Sequence, residues 1–291
     1  MNRSTFLRKC LDSLINQTYR GFEIIVVDGG SVDDTKDWVS EYPVKFLLQQ
    51  GSGMCNARNF GIQHAQGEII AFIDDDATAN ENWLKGLVKI YAMGRNIGGV
   101  GGKVVQSAAH TPQYRHNGIA KLVLDLPRVI LRYDEPIYQG RIFRGVTYPI
   151  GGECVQDVDW LIGCNMSFRA EALNKVFGFD EAFYGVSWGE DADTCLRIKS
   201  LGCRLVYTPN AIVYHWLCPR MRNTFELIDN AYYLALKHGM LVSRCWFYFV
   251  TFVLLESRRS VWEQRRYPTW YLRTWIGASI SARRRYKCSR R

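Results

Sequence analysis

The hydrophobic positions in the first part of the chain follow two alternating patterns. Short unbroken apolar runs are typical of strands buried on both faces of a parallel sheet, whereas apolar residues three or four positions apart mark one face of a helix. The first pattern predicts strands at 22–27, 44–48, 68–73 and 100–105. The second predicts helices at 7–15, 35–42, 54–65 and 81–93, the first of them capped by Ser4 and Thr5. Together they predict a doubly wound, Rossmann-like α/β fold with a mixed, mainly parallel sheet.

The pattern changes after the fourth predicted strand. Residues 107–157 hold four of the eight prolines, which indicates an insertion with irregular structure or a short hairpin. The alternation then resumes with helices at 170–177 and 191–201 and a strand at 204–207. We therefore expect one α/β domain over residues 1–220, followed by a helical extension over 221–291.

An apolar stretch lies within the expected extension. From Cys245 to Leu255 the residues are apolar or aromatic, with Thr251 as a mild interruption. A helix that crosses a bilayer needs about 20 apolar residues, so this stretch is too short. We predict an interfacial or core-packed helix there.

The positive charge of the chain is concentrated in the same extension. The net charge is +9, but residues 257–291 contain 11 of the 37 Lys and Arg residues and one of the 28 acidic residues, so the rest is close to neutral. Trp and Tyr residues accompany these cations, a combination that suits an anionic membrane interface and also single-stranded nucleic acid. We favour a membrane surface, expect no nucleic acid as a partner, and keep a plain solvated tail as the third interpretation.

Cysteine usage bears on the cellular compartment. The nine cysteines are scattered and never form a C-x-x-C pair, which is typical of buried thiols under reducing conditions and not of a disulfide or zinc framework. The first residues, MNRSTFLRKC, lack the apolar core of a signal peptide. We expect a cytoplasmic protein, attached peripherally at the inner face of the cell membrane.

Three consecutive carboxylates, Asp74, Asp75 and Asp76, follow the predicted strand at 68–73. Ligands bind at the carboxyl ends of strands in open α/β sheets, and clustered carboxylates repel one another unless a cation neutralises them. Oxygen ligands of this kind suit Mg²⁺ or Mn²⁺. The alternation of side chains predicts Asp74 and Asp76 on one side and Asp75 on the other. An acidic loop that caps the next helix is the alternative.

Two more acidic positions have a possible chemical role. Asp28 ends the strand at 22–27 before Gly29-Gly30-Ser31, where a carboxylate could bind a base or a ribose, although a simple turn explains the sequence equally well. Glu190 and Asp191 open a predicted helix, where the helix dipole favours acids and where one acid could deprotonate an acceptor hydroxyl. The glycine-rich segment 98–102 precedes a strand and opens no helix, so it indicates close packing and not a dinucleotide site.

Five motifs follow one another in order across residues 2–215. They are Asn2-Arg3 with Gln17-Thr18-Tyr19 and the run from Phe22 to Asp33; Ala57-Arg58-Asn59 with the run from Gly67 to Asp76; Gly163 to Arg169; Gly178 to Glu181; and Gly189 to Asp193 with Arg197. This series resembles the motifs of inverting family 2 glycosyltransferases, which have the GT-A fold.

The resemblance implies roles for these residues. Asp28 matches the acid that holds the nucleotide base, and the nucleotide-sugar site is completed by Gly30, Ser31, Arg58, Asp74 and Asp75. Asp74 and Asp76 match the ends of the D-x-D motif, with Asp74 towards the ribose and Asp76 on the metal, Mg²⁺ or Mn²⁺. Asp191 matches the general base, with Glu190 beside it. His215 matches another metal or diphosphate contact, although a lone histidine is more often structural.

Two departures from the family pattern matter. Family members begin with an apolar strand before the Asn-Arg pair, and this sequence starts with Met1 directly at that pair, so the first strand is expected to be missing from the sheet. Either the true start lies upstream or donor binding is weakened. The sequence also has no Gln-x-x-Arg-Trp motif of processive synthases, which favours transfer of a single sugar.

The implied function is inverting transfer of one sugar from a nucleotide-diphosphate sugar donor to a glycan or lipid-linked acceptor, in cell-surface or lipid-linked glycan synthesis. A sugar nucleotidyltransferase shares the sheet type, but the sequence has no Gly-rich phosphate loop near its start. The remaining alternative is a truncated, catalytically weak, membrane-associated protein that binds a nucleotide.

Overall fold

The computed structural model describes residues 2–106, 140–143, 146–149, 152–185, 189–216, 224–239 and 267–289. The helix predicted between Cys245 and Leu255 and most of the insertion at 107–157 lie outside the described residues. Within that insertion, Gly140–Phe143 and Val146–Pro149 form an antiparallel hairpin, as one of the two alternatives expected.

The predicted helices and strands of the first 106 residues occur in the predicted order, with β4 as an additional short strand. The helices are α1 (Ser4–Ile15), α2 (Thr35–Trp38), α3 (Met54–His64), α4 (Trp83–Tyr91), α5 (Ala170–Lys175), α6 (Glu190–Ser200), α7 (Thr224–Lys237) and α8 (Tyr267–Ser289). The strands are β1 (Ile25–Asp28), β2 (Lys45–Leu48), β3 (Ile69–Phe72), β4 (Ala77–Ala79), β5 (Ile97–Gln106), β6 (Gly140–Phe143), β7 (Val146–Pro149), β8 (Gln156–Val158), β9 (Met166–Arg169) and β10 (Arg204–His215).

The main sheet has the order β3-β9-β5-β10-β4, with β8 on the same edge of β10 as β4. β5 and β10 pair in parallel, and β9 is antiparallel to both β3 and β5, so β3, β5 and β10 run in one direction. β1 and β2 form a separate parallel pair. The predicted α/β class with a mixed sheet is confirmed. Among the described residues, no strand joins β1 to β3.

Two apolar cores lie on opposite faces of the sheet. Alternate residues of β3 face opposite ways: Ile69 and Ala71 pack with the core of α1 and α4, whereas Ile70 and Phe72 pack with the core beneath α5 and α6. This alternation is the two-residue period of a strand buried on both sides. The sheet therefore separates two helical layers.

The start of α1 differs from the expectation. Arg3 occupies the N-cap position, and no side chain from within the helix caps it. Instead Asp33, which follows β1, accepts a hydrogen bond from the Ser4 N–H at 3.0 Å, and the Ser4 hydroxyl accepts one from Trp38 at 2.9 Å. The predicted capping by Ser4 and Thr5 is wrong because a carboxylate from another segment satisfies the free N–H. This contact fixes the start of α1 beside the carboxyl end of β1.

The glycines at 98–102 allow close packing, as predicted. A Cβ atom added to Gly102 would lie 1.8 Å from the Ala211 carbonyl oxygen, and one added to Gly99 would lie 2.8 Å from both Phe168 and Leu205. Real Cβ atoms do not approach other atoms so closely, so any larger residue would push β5 away from β9 and β10. These glycines belong to the core of the sheet and not to a phosphate-binding loop.

β10 extends well beyond its predicted end and contains an irregularity. Its pairing with β5 shifts register between Thr208 and Val213, after which Val213 to His215 pair with β4. A bulge of this kind bends a strand and redirects the side chains that follow it. His215 is thereby part of the strand itself, at its carboxyl end.

The C-terminal helices pack on the rest of the molecule. Tyr233 of α7 and Ala278 and Ala282 of α8 are buried in the same core as Phe179 and Phe183. In the part of the chain that the structure describes, no helix combines the length and the hydropathy needed to cross a bilayer.

Candidate functional site

The D-x-D carboxylates and His215 form one cluster at the carboxyl ends of β3 and β10. One ligand atom from each of Asp74, Asp76 and His215 lies within 4.8 Å of the other two. His215 Nε2 lies 3.2 Å from Asp76 Oδ1 and 3.9 Å from Asp74 Oδ2. Asp76 is buried, and its backbone oxygen accepts a hydrogen bond from the Trp216 N–H at 2.8 Å, which holds the end of β10 against the D-x-D turn.

Arg3 neutralises part of this negative charge. Its Nη1 atom donates to Asp75 Oδ1 at 2.8 Å and to Asp76 Oδ2 at 3.0 Å. Burial nevertheless raises the pKa of Asp75, with the neighbouring Asp76 adding to the effect against the opposing charge of Arg3. The predicted placement of Asp75 opposite Asp76 is wrong: β3 ends at Phe72, and the turn that follows brings both carboxylates to one guanidinium.

Arg58 of α3 connects the D-x-D cluster to the start of α6. Its Nη1 atom donates to Glu190 Oε1 at 2.9 Å, and Nη2 lies 3.9 Å from Asp74 Oδ1. The guanidinium also lies 5.2 Å from the centre of the Phe179 ring. Burial acts against its charge, but Glu190 and Asp74 outweigh that effect and raise the pKa of Arg58. Arg58, expected at the nucleotide sugar, therefore lies between two acidic motifs.

Asp191 sits in an environment suited to a base. Burial and the adjacent Glu190 raise its pKa from 3.8 to about 7, against the opposing hydrogen bonds from backbone N–H groups. Those groups belong to Ala192 at 2.7 Å and Gly163 at 3.2 Å. A carboxylate with a pKa near neutrality can take a proton and release it again at physiological pH. Glu190 beside it has one buried oxygen, Oε2, without a hydrogen-bonding partner among the described residues.

Asp28 ends β1 and is held by its own turn. Its carboxylate accepts hydrogen bonds from the Ser31 N–H at 2.9 Å and the Ser31 hydroxyl at 2.5 Å, and Gly30 between them has a φ of 92°. That backbone conformation is in the left-handed region, which favours glycine. Asn2 reaches the same turn, because its N–H donates to Ser31 Oγ at 3.1 Å. Asp28 therefore lies at the carboxyl end of β1.

The D-x-D cluster fits a divalent cation. Two carboxylates and one imidazole are ligands that Mn²⁺ accepts, and carboxylate oxygens with water also suit Mg²⁺. Asp74, Asp76 and His215 can each offer one atom to a shared ion. The two oxygens of Asp76 have different neighbours: Arg3 contacts Oδ2, whereas Oδ1 lies towards His215 in the D-x-D cluster.

The structure thus brings the expected residues into two groups linked by Arg58. Asp74, Asp76 and His215 form the first, Glu190 and Asp191 the second, while Asp28, Gly30 and Ser31 lie at the end of β1. Sequence reasoning assigned no role to Arg3 or to the Gly163 N–H. The Asn2-Arg3 pair was a visible signal, but its contact with carboxylates some 70 positions away depends on the fold. The hydrogen bond from the Gly163 N–H to Asp191 could not be predicted, because every residue except proline has such a backbone group.

Relatives at the sequence level are sugar transferases. Over 236 residues the chain is 28% identical to glucosyl-dolichyl phosphate glucuronosyltransferase of Haloferax volcanii, covering 75% of this chain and 66% of that protein. Over 241 residues it is 26% identical to chondroitin synthase of Escherichia coli, covering 76% of this chain and 34% of that protein. The chain thus spans a third to two thirds of these curated relatives, and 13% and 23% of two other bacterial glycosyltransferases that it matches over shorter segments.

Among solved structures, the chain resembles a mannosyltransferase of Pyrobaculum calidifontis in complex with GDP-Man and Mn²⁺. The match has a TM-score of 0.55 at 17% identity and covers 100% of this chain and 85% of that one, which shows a shared fold. A family model described as the N-terminal domain of galactosyltransferase matches residues 153–217, and the one described as Glycosyl transferase family 2 matches residues 1–177. Since this last match covers more than half of the chain and includes the three consecutive carboxylates Asp74, Asp75 and Asp76, the protein belongs to glycosyl transferase family 2 and has a GT-A fold.

Proposed function

We propose that this protein transfers a single sugar, with inversion, from a nucleotide-diphosphate sugar to an acceptor hydroxyl, and that the reaction depends on Mg²⁺ or Mn²⁺. The observation that carries the proposal is the ionic path from Asp74 through Arg58 to Glu190, next to Asp191. The pKa of Asp191 is raised to about 7, and Arg58 links its neighbour Glu190 to a cluster that could hold a cation, which supports the proposal. Inverting transfer needs these two features on opposite sides of the sugar.

Each residue of the candidate site has a distinct role in the proposed reaction. Asp28 binds the nucleotide base, and Asp74 lies towards the ribose. Asp76 and His215 hold the cation, which when bound neutralises the charge that develops on the leaving diphosphate. Asp191 accepts the proton of the acceptor hydroxyl as the hydroxyl oxygen attacks the anomeric carbon, while Arg58 holds Glu190 in place through their ion pair.

The acceptor is proposed to be a glycan or a lipid-linked glycan at a membrane surface. The archaeal relative is a glucosyl-dolichyl phosphate glucuronosyltransferase, which supports a lipid-linked acceptor. On α8, the side chains of Arg283, Arg284 and Lys287 are exposed, which supports contact with an anionic surface. Arg285 of the same helix is instead used internally, in an ion pair with Asp229.

The test is release of nucleoside diphosphate from a panel of UDP-sugars and GDP-sugars with Mn²⁺, for the wild-type chain and two variants. Asp191→Asn removes the base, so turnover should fall at least about a hundredfold while nucleotide and Mn²⁺ still raise the melting temperature. Asp76→Ala should abolish that stabilisation. Asp37→Asn, an exposed acid on α2, is the matched control. Unchanged turnover in both Asp191→Asn and Asp76→Ala would refute the proposal.

A catalytically weak nucleotide-binding protein is the second candidate. It is favoured by the separation, among the described residues, of β1 and β2 from the main sheet, because Asp28 then lies on a strand pair that is not hydrogen-bonded to β3, the strand that precedes Asp74. The same assay separates the two: stabilisation by nucleotide with Mn²⁺, without turnover on any donor in the presence of simple sugar acceptors, supports this candidate.

A further inference from the structure

The chain on both sides of the proposed base is bonded to one lysine. We call residues 180–185 and 189–193 the base segment, because the proposed base lies within it. Lys237, the last residue of α7, lies 2.5 Å from Asp180 Oδ2 and 2.9 Å from Asp193 Oδ1. A single ammonium group thus joins the two ends of the base segment.

Neutralisation of buried charge is the simplest explanation of Lys237, but it does not account for both contacts. Asp193 is fully buried and is also contacted by Arg197 Nε and His238 Nε2, each at 2.8 Å. Asp193 therefore has two basic partners without Lys237. What the lysine adds is the connection from Asp193 to Asp180.

Both carboxylates are ionised at neutral pH. Burial acts to raise the pKa of Asp180, but the hydrogen bond and the charge of Lys237 outweigh burial and help to place that pKa below its usual value. Burial acts in the same direction at Asp193, where three basic side chains together outweigh it and the pKa is also lowered. Since one nitrogen atom contacts an oxygen of each carboxylate, the two carboxylates lie close together and would repel each other without the ammonium group.

The base segment is also bonded to α3, the helix that contacts the D-x-D cluster. Asn59 of α3 donates to Glu181 Oε1 at 2.9 Å. Arg58 of the same helix donates to Glu190 Oε1 at 2.9 Å and lies 3.9 Å from an oxygen of Asp74. The position of the base segment relative to the D-x-D cluster therefore depends on α3 and α7 together.

We propose that Lys237 is a positioning residue for the reaction: by joining the two ends of the base segment it fixes the first turn of α6, and with it the direction in which Asp191 meets the acceptor hydroxyl. This role rests on the function proposed above, in which Asp191 is the base. The N–H of Ala192, which belongs to that turn, donates to Asp191 at 2.7 Å, so the carboxylate follows the turn. A displacement of about 1 Å can cost about a hundredfold in rate.

The test compares Lys237→Met with His238→Gln, a matched control that alters a contact at Asp193 alone. Transfer is measured with Mn²⁺ and a donor of the UDP-sugar and GDP-sugar panel that the wild-type chain turns over. Rates are divided by the amount of UDP or GDP bound, so that unfolded protein does not count. For Lys237→Met, kcat should fall at least about tenfold with the KM of the donor unchanged. His238→Gln should stay within about twofold, and Lys237→Arg, which keeps the charge, should recover most of the loss.

Amide exchange tests the positioning without sugar transfer. In Lys237→Met, exchange should become faster at Phe183 and Asp193, whose N–H groups are bonded within the base segment, and should stay as in the wild type at Val100 of β5. If Lys237→Met does not fold, the double variant with Asp180→Asn takes its place in every comparison, because it leaves one buried charge fewer unpaired.

Equal exchange in the base segment of Lys237→Met and the wild type would overturn the proposal. Equal losses of kcat in Lys237→Met and His238→Gln would do so as well, since joining the two ends would then not matter. Turnover of Lys237→Arg no higher than that of Lys237→Met would also contradict it, because the charge would have no role. A wild-type chain that turns over no donor refutes the proposed function and the catalytic role of Lys237 with it. The first kind of failure is seen in the variants and the second in the wild type, so the two are distinguishable.

Discussion

At the scale of single residues, burial and neighbouring charge distinguish carboxylates that are adjacent in sequence. Glu190 forms an ion pair with Arg58 at 2.9 Å, whereas the hydrogen bonds that Asp191 accepts within the described residues come from backbone N–H groups, and Glu190 repels it. The same helix start thus carries one acid in an ion pair and one acid with a pKa raised to about 7. This difference supports the proposal that Asp191, and not Glu190, is the base.

The raised pKa of Asp191 predicts two pH dependences. Turnover should increase as the pH rises through about 7, because only the ionised carboxylate can accept a proton. Stability should change in the opposite sense. Since the folded-state pKa is raised above 3.8, the contribution of Asp191 is full below that pH and is lost as the pH rises through about 7.

The Asp191→Asn variant has no carboxyl group at this position, so it should not lose stability as the pH rises through about 7. Its melting temperature relative to the wild type should therefore increase between pH 5 and pH 8, whereas Asp37→Asn should follow the wild type at both values. Differential scanning fluorimetry in matched buffers measures the difference. A gap between Asp191→Asn and wild type that does not change with pH would contradict the assignment of the raised pKa to this residue.

The Arg58–Glu190 pair predicts strong coupling between the two side chains. Arg58→Met leaves the buried carboxylate of Glu190 without a counter-charge, which should lower the free energy of unfolding by about 3–5 kcal/mol. Arg58→Met combined with Glu190→Gln should recover a large part of that loss, because no buried charge remains unpaired. Urea unfolding measures both, with the exposed Arg95→Met as control. Additive losses in the double variant would rule out this coupling.

At the scale of elements, ionic contacts join α7 to α6 and α8 to α7. Asp193 of α6 is fully buried and contacts Arg197 of the same helix, Lys237 at the end of α7 and His238 directly after it. Arg285 of α8 lies 2.6 Å from the buried Asp229 of α7. The expected extension is thus tied by ionic contacts to the helix that carries Asp191, as well as by the shared apolar core.

The two neighbouring arginines of α8 provide a matched test of the contact between α7 and α8. Arg285→Met should lower the free energy of unfolding by about 3 kcal/mol, because Asp229 keeps a buried charge. Arg284→Met, at an exposed position one residue away, should change it by less than about 0.5 kcal/mol. Equal effects in urea unfolding would mean that α8 contributes to stability without this ion pair.

Elements with strong periodicity could be predicted from sequence, and very short ones could not. The apolar run at 68–73 and the helical spacing at 54–65 correspond to β3 and α3 with small changes at their ends. β4 and β8 are three residues long, and β9 has a single buried serine between apolar residues, so neither period is visible in them. Their pairing with β10 and β5, and not their own sequence, makes them strands.

The site shows the same division. Each acidic motif could be found from its place after a strand or before a helix, since those positions carry chemistry in α/β folds. The contacts between motifs could not be found, because the Arg58–Glu190 ion pair joins residues 132 positions apart. The end of β10 was predicted too early because Pro209 and Asn210 interrupt its apolar pattern at the register shift.

At the scale of the whole molecule, the charge of α8 gives a test of the proposed contact with a membrane surface. Arg283, Arg284 and Lys287 are exposed, and each basic residue near an anionic surface contributes about 1 kcal/mol to binding. Replacing all three with Gln should weaken binding to vesicles that contain phosphatidylserine by about two orders of magnitude and make the residual binding less sensitive to salt. Cosedimentation measures the binding, with neutral vesicles as control. Unchanged binding by the triple variant would exclude this helix as the contact.

Because β10 has a register shift, the number of residues between Thr208 and Val213 determines which side chain of its last three residues joins the D-x-D cluster. Side chains of a strand alternate between two faces, so deleting one residue between Thr208 and Val213 would turn His215 away from Asp76 and bring an aromatic neighbour, Tyr214 or Trp216, to its place. The loss of a single codon in that segment would thus remove His215 from the proposed cation site without replacing any residue of that site. Length variation in β10 is therefore a route by which descendants of this chain could lose or regain the proposed dependence on a metal.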